Sequence, residues 1–252
     1  MKNILSKKQI ERYSRQIILK NIGVVGQEKI LKSKVLIVGS GGLGCPVADA
    51  LSRAGVGTIG IVDDDKVSLS NIHRQSFFTS KDVGKFKVKI LKERIKLINP
   101  ETKTIIFKEK ITKLNIKKII KKFHIVVDGS DNFKTKFLLN EYSFKYKKIL
   151  IVGAISKFDG HIFSFDFNNK KTSCLKCFYQ GDISDEFLDC ESEGILGPVA
   201  GIVGNIQANE VLKKILKLDS NLNSSILIID LLNLNFRKVK FLKKKNCICK
   251  KK

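Results

Sequence analysis

The chain has 252 residues and a formal net charge of +24 at pH 7, enough length to bury one sizeable core without disulfide staples. No run approaches the roughly 18 apolar residues of a membrane span, and the N-terminal MKNILSKKQIERYSRQ lacks the apolar stretch of a secretory signal, so a cytoplasmic protein is expected. The charge would suit a nucleic acid, but only six of the 48 basic residues are Arg and the lysines lie scattered without stacking aromatics; specific nucleic-acid recognition is not expected, although an acidic protein partner would be attracted.

Residues 7–32 read as two short amphipathic helices broken near Gly23, within an N-terminal arm over 1–32. An apolar run at 35–38 stops at Gly39, the turn GSGGLG (39–44) follows, a helix opens with Pro46, and a second apolar run at 59–62 ends on Asp63. Residues 84–98 repeat apolar positions at helical spacing up to Asn99-Pro100. A strand at 104–107, a helix at 112–122 and a strand at 125–127 come next; after Asp128-Gly129-Ser130-Asp131-Asn132 a helix runs to Lys147, and 149–152 is a further buried strand. This alternation predicts a Rossmann-like, doubly wound, mostly parallel sheet over 33–153. Beyond 153 the rhythm changes: 160–167 and 234–242 alternate apolar and polar residues like antiparallel strands, with a cysteine-bearing loop (168–197) and a long helix (198–218) between them. No linker intervenes, so 154–252 is expected to be an antiparallel, zinc-binding extension of the same α/β domain.

The strand, glycine turn and helix form a nucleotide-binding βαβ unit. Gly39, Gly41, Gly42 and Gly44 let backbone N–H groups close on phosphate at a helix N-terminus. Asp63, about 20 residues beyond the turn, stands where a carboxylate takes the ribose hydroxyls. Gly39, Asp63 and the Asp128/Asp131 pair each follow a predicted strand, so they converge on the sheet's carboxyl edge, where open α/β sheets bind ligands. A nicotinamide dehydrogenase would need no more than the glycines and Asp63. Asn71, Arg74, Gln75, Lys87 and Asp131 argue instead for ATP, because cations neutralise a polyphosphate and a carboxylate can hold Mg²⁺. Asp131 also stands where a helix N-cap would, and Asp128 reads as a turn residue outside the core set.

Taken together, RYSRQIIL (12–19), GSGGLG (39–44), DDDKVSLSNIHRQ (63–75), VGKFK (83–87), GSDN (129–132), CLKC (174–177) and GPVAGIVGNIQANEVLK (197–213) resemble successive blocks of the ThiF/MoeB/HesA enzymes, bacterial relatives of ubiquitin-activating E1 proteins. The resemblance implies an adenylyltransferase. ATP would adenylate the C-terminal glycine of a small ubiquitin-fold sulfur carrier ending in Gly-Gly, for thiocarboxylate formation in thiamine thiazole or molybdopterin synthesis. It assigns Asp63 to the ribose, Asn71, Arg74, Gln75 and Lys87 to the phosphates, and Asp131 to Mg²⁺. Arg15 would reach the neighbouring subunit's phosphates in a homodimer; by itself it reads as a surface salt bridge. A separate sulfur donor, of cysteine desulfurase or rhodanese type, is implied. DDDKV and GILGPVAGIVG look slightly more like the thiamine branch, GGLGC and VSLSN like the molybdopterin branch, and the reading leans to thiamine.

Cys174-x-x-Cys177 has zinc-knuckle spacing. The resemblance pairs it with a second CxxC near the C-terminus, where this chain departs from the pattern with Cys247-Ile248-Cys249. A structural zinc site of all four is expected; the alternative is a reduced thiol pair and a frayed tail. Cys190 occupies the place where some family members carry a cysteine for a persulfide-linked or acyl-disulfide step, and Cys45 reads as packing. Two other functions fit parts of the pattern: an E1-like enzyme activating a carboxylate on a modified tRNA base, and a nicotinamide-dependent dehydrogenase.

Overall fold

The computed structural model describes residues 5–179, 194–218 and 222–250. Helices α1 (Lys7–Ile17) and α2 (Gly23–Lys32) precede β1 (Lys34–Val38), α3 (Gly44–Ala54) and β2 (Thr58–Val62). Next come α4 (Lys87–Ile98), β3 (Lys103–Phe107), α5 (Ile116–Ile120), β4 (Ile125–Asp128), α6 (Phe133–Lys145) and β5 (Ile149–Ser156). The remaining elements are β6 (Asp159–Asp166), the short α7 (Leu175–Phe178), the long α8 (Gly197–Leu216) and the pair β7 (Ser225–Asp230) and β8 (Asn235–Lys240). They build one 8-stranded sheet in the order β3-β2-β1-β4-β5-β6-β7-β8. The first five strands of that order are parallel and the last three join antiparallel, as the change of rhythm after 153 predicts.

Period-two alternation divides each strand between two cores. Val35 and Ile37 of β1, Ile125 and Val127 of β4 and Ile151 of β5 pack on one face with residues of α3, α4 and α8. Leu36, Val38, Val126, Leu150 and Val152 pack on the other with α5, α6 and an aromatic layer of Phe163, Phe165 and Phe167. Strands buried on both faces read as unbroken apolar runs, the mark of a parallel sheet clad by helices.

Two local expectations need correction, and one strand lies in a segment without an expected element. The helix expected at 112–122 begins only at Ile116, because the Asn115 side chain accepts the Thr112 N–H at 2.8 Å and donates to the Lys110 carbonyl at 2.8 Å, folding 110–115 into a turn. Within the expected loop 168–197, residues 175–178 form α7. The segment SILIID, left unassigned by periodicity, is β7, bridging β6 to β8.

The N-terminal arm is fixed on the body. The Tyr13 ring is 1% exposed, its hydroxyl accepts from Asn99 Nδ2 at 2.9 Å, and a side chain at Gly55 would meet that ring at 2.6 Å. Arg12 donates to the Ile98 carbonyl at 3.0 Å, capping the end of α4. Among the described residues no helix is long and apolar enough to cross a membrane.

Candidate active site

At the carboxyl edge of the parallel strands lies a cleft of about 760 Å³, lined by Gly39, Gly41, Gly42, Asp63, Asn71, Arg74, Gln75, Lys87 and Asp131. Every expected nucleotide-contacting residue except Gly44 and Arg15 therefore faces one space. Gly44 is the first residue of α3, a helix that starts with no side-chain cap on its N–H groups, which is the setting in which a helix start takes an anion. Two positions of the turn admit no side chain. Gly39 has φ +90°, and a Cβ there would lie 2.7 Å from the Gly129 carbonyl oxygen; one on Gly44 would lie 2.0 Å from the Gly39 oxygen.

Asp63 is tied to that turn. Its Oδ2 accepts the Ser40 N–H and hydroxyl, both at 2.7 Å, and its Oδ1 accepts the Asp65 N–H at 2.8 Å. Carboxylate oxygens have further lone pairs for ribose hydroxyls. Lys87, 5% exposed, opens α4 and donates from Nζ to Asp65 Oδ2 at 2.8 Å. The Asp65 side chain is 63% exposed, so this cation is held in place by a partner that water can screen. Arg74 is aimed by bonds to the Ser70 carbonyl at 2.9 Å and the His73 ring at 2.8 Å. Gln75 is buried, and its Oε1 has no hydrogen-bond partner among the described residues. Such an atom costs desolvation unless something meets it.

Asp131 is exposed at the cleft and accepts from Asn132 Nδ2 at 3.1 Å. The α6 cap is Asn132, whose side chain accepts the Thr135 N–H at 2.9 Å, so helix capping does not account for Asp131. One carboxylate beside a polyphosphate site suits Mg²⁺, which binds through one or two carboxylates plus substrate phosphates. Arg15 lies exposed on α1 and does not line the cleft of its own chain. Cys190 lies outside the described residues. Cys45 is buried and within 3.4 Å of the Ser40 carbonyl, and burial pushes its thiol up to about 12, which makes it a packing residue.

The four remaining cysteines meet on the far core. Cys174, Cys177, Cys247 and Cys249 are all buried, with ligand atoms within 4.8 Å of one another. The Sγ separations are 4.0 Å for Cys174–Cys177, 3.4 Å for Cys174–Cys247 and 3.4 Å for Cys177–Cys249. Tetrahedral Zn–S bonds near 2.3 Å set sulfurs about 3.8 Å apart, so the set fits zinc despite the shortened C-terminal motif. Burial and the neighbouring Cys177 push the Cys174 thiol up to about 12.

Sequence reasoning missed Glu109, Lys110 and Ile111, which line the cleft just after β3; the rule that strand ends face the ligand applied there as it did after β1, β2 and β4. It also missed Lys136, which shares the buried side of α6 with Phe133, Leu139, Asn140 and Ser143, a helical spacing that signals an inward-facing lysine.

A model of the ThiF family matches residues 13–251. The chain is 34% identical over 246 residues to the sulfur carrier protein adenylyltransferase of Thermus thermophilus, covering 96% of this chain and 91% of that protein. It is 36% identical over 242 residues to a probable molybdopterin-synthase adenylyltransferase of Gracilaria tenuistipitata var. liui, covering 96% and 68%. Against the adenylyltransferase and sulfurtransferase MOCS3 of Aedes aegypti it is 38% identical over 244 residues, spanning 96% of this chain and little more than half, 55%, of that one. The crystal structure of E. coli MccB with ATP shares the fold, with a TM-score of 0.81 at 23% identity over 94% of this chain and 74% of that one. The family match spans nearly the whole chain, and so does the 34% identity to the Thermus thermophilus protein: the chain belongs to the ThiF family.

Proposed function

We propose that the chain uses ATP to adenylate the C-terminal glycine carboxylate of a ubiquitin-like sulfur-carrier protein, activating it for thiocarboxylate formation. The observation that carries this reading is the meeting of the glycine turn, Asp63, Arg74, Gln75, Lys87 and Asp131 in one cleft, in a chain whose relatives are named adenylyltransferases. A carrier carboxylate, already ionised at neutral pH, attacks the α-phosphorus of ATP. The bond to the bridging oxygen breaks, pyrophosphate leaves with its electron pair, and a carrier acyl-adenylate remains.

No side-chain base is required. The barrier is the repulsion between an anionic nucleophile and a polyanionic triphosphate, so the work falls to positioning and charge. Asp63 holds the ribose, the glycine turn and the start of α3 hold phosphate, and Arg74, Lys87 and the amides of Asn71 and Gln75 screen it. Asp131 would hold Mg²⁺, which supplies further screening of phosphate charge when bound. Zn²⁺ on Cys174, Cys177, Cys247 and Cys249 would have a structural role. Arg15 completes the site of a second subunit; exposed Ile18, Leu19, Val24 and Val25 near it support a homodimer. Cys190 is proposed to serve the later sulfur-transfer step with a separate donor.

The names of two relatives favour a molybdopterin-type carrier over the thiamine branch to which the motifs leaned. The test is intact-mass spectrometry of carrier, ATP and enzyme without a sulfur donor. A carrier heavier by one adenylyl group supports adenylation; an unmodified carrier with folded, zinc-loaded enzyme contradicts it.

A further inference from the structure

Beside the cleft lies a buried cation to which the adenylation reading gives no work. Lys136 is 1% exposed. Its Nζ donates to Asp128 Oδ2 at 3.1 Å, the Ser130 carbonyl at 2.6 Å and the Gly153 carbonyl at 2.7 Å. An ammonium has three N–H donors, and these acceptors match them without any ligand. Although Lys136 lines the cleft, it is therefore unlike Lys87, whose carboxylate partner is largely in water.

Its partner is equally constrained. Asp128 is 0% exposed, its Oδ1 accepts the Ser130 N–H at 2.9 Å and hydroxyl at 2.6 Å, and its carbonyl accepts Gln207 Nε2 at 2.9 Å. A buried ion pair is weak grounds for stability, because apolar residues of similar volume often do as well. What this pair provides is geometry. Asp128 pairs with Val152 across β4 and β5, so one ammonium ties the end of β4 and the middle of β5 to the turn that carries Gly129, Ser130 and Asp131. Gly129 in turn lies against Gly39: a Cβ on Gly39 would come within 2.7 Å of the Gly129 oxygen. The clamp thus sets the backbone that presents Asp131.

We infer that Lys136 is a positioning residue for adenylation, acting through the Asp128–Asp131 turn without touching the nucleotide. This rests on the adenylation reading and on Asp131 as the Mg²⁺ ligand. The test is the paired variant Asp128→Asn/Lys136→Met, which leaves no buried charge unpaired, followed by thermal melting, ATP binding without Mg²⁺, and carrier-dependent ATP–pyrophosphate exchange over a Mg²⁺ titration. Expected are a folded protein with unchanged ATP affinity, a maximal exchange rate lower by on the order of 100-fold, as misplaced reacting groups give, and a Mg²⁺ requirement raised roughly tenfold or more, as loss of an outer partner gives.

Exchange at the wild-type rate and Mg²⁺ requirement in the folded variant overturns the inference. So does an ATP affinity that falls in step with the rate, which would make Lys136 a nucleotide-binding group. If the paired variant does not fold, Lys136→Arg, which keeps the charge but moves the donors, is read by the same split between rate, Mg²⁺ requirement and ATP affinity. No exchange by the wild-type enzyme would count against the adenylation reading itself.

Discussion

Replacing Cys247 and Cys249 together by Ser cuts the tail from the knuckle at Cys174 and Cys177, and the structure sets the size of the effect. A zinc ion bridging Cys174 to Cys247 would close a loop across a sequence separation of 73. Chain-entropy arithmetic for a cross-link over such a loop gives about 4.4 kcal/mol at 25 °C. Each kcal/mol moves the midpoint of a domain this size by 2–4 °C, so the doubly substituted protein should melt roughly 9–18 °C lower. Serine is nearly isosteric, so little packing volume is lost from the core that Cys247 and Cys249 share with Phe163 and Leu175. The assay is zinc content by elemental analysis together with a calorimetric scan, before and after chelation. Wild-type protein should carry one zinc per chain and lose it on chelation with a similar fall in midpoint. A substituted protein that retains one zinc and its wild-type midpoint, or a wild-type protein that carries none, would refute the reasoning.

Other consequences concern the cleft, its partner subunit and the pH response. Asp131→Ala should abolish adenylation and leave the melting midpoint in place, since Asn132 caps α6; normal turnover removes Asp131 from the mechanism. Arg15→Ala should behave similarly, and mixed dimers with Asp131→Ala should regain part of the activity; no recovery in verified heterodimers argues against sites shared across subunits. Burial holds the His161 imidazole below its ordinary value, with Asp159 opposing, and burial also lowers His124 beside Lys148 and Lys34. A lowered histidine leaves stability intact above the unfolded value near 6.5 and removes it as pH falls below, because the unfolded chain then takes up the proton more readily. The midpoint should drop from pH 7.5 to pH 5.5, less steeply in His161→Gln; an equal drop in both excludes His161.

Much of this was legible in the sequence because the parallel half is written in short-range rules. Val35, Ile37, Gly39 and Asp63 each do locally what their residue type dictates, and a parallel sheet then gathers the strand ends without further information. Asn115 shows the opposite case, a polar side chain that overrides helical periodicity by bonding to nearby backbone. β7 was hidden because a short apolar run has no period of its own, and only pairing with β6 and β8 defines it. Half of the cysteine cluster was legible at Cys174 and Cys177, whereas the place of the shortened Cys247-x-Cys249 in it depended on how the tail returns to α7. Lys136 stands at the spacing of the buried side of α6, which marks it as inward-facing, but its acceptors Asp128, Ser130 and Gly153 come from separate elements and only the fold identifies them. Arg15 lies exposed on α1 and does not line its own chain's cleft, so no local rule assigns it a role.

The central claim is tested most directly by ATP–pyrophosphate exchange, measured without a carrier and then with molybdopterin-type and thiamine-type carrier proteins ending in Gly-Gly. The account predicts no exchange by the enzyme alone and rapid exchange with a carrier of one type, lost when the carrier's terminal glycine is removed. Folded, zinc-loaded enzyme that catalyses no exchange with either carrier would contradict it.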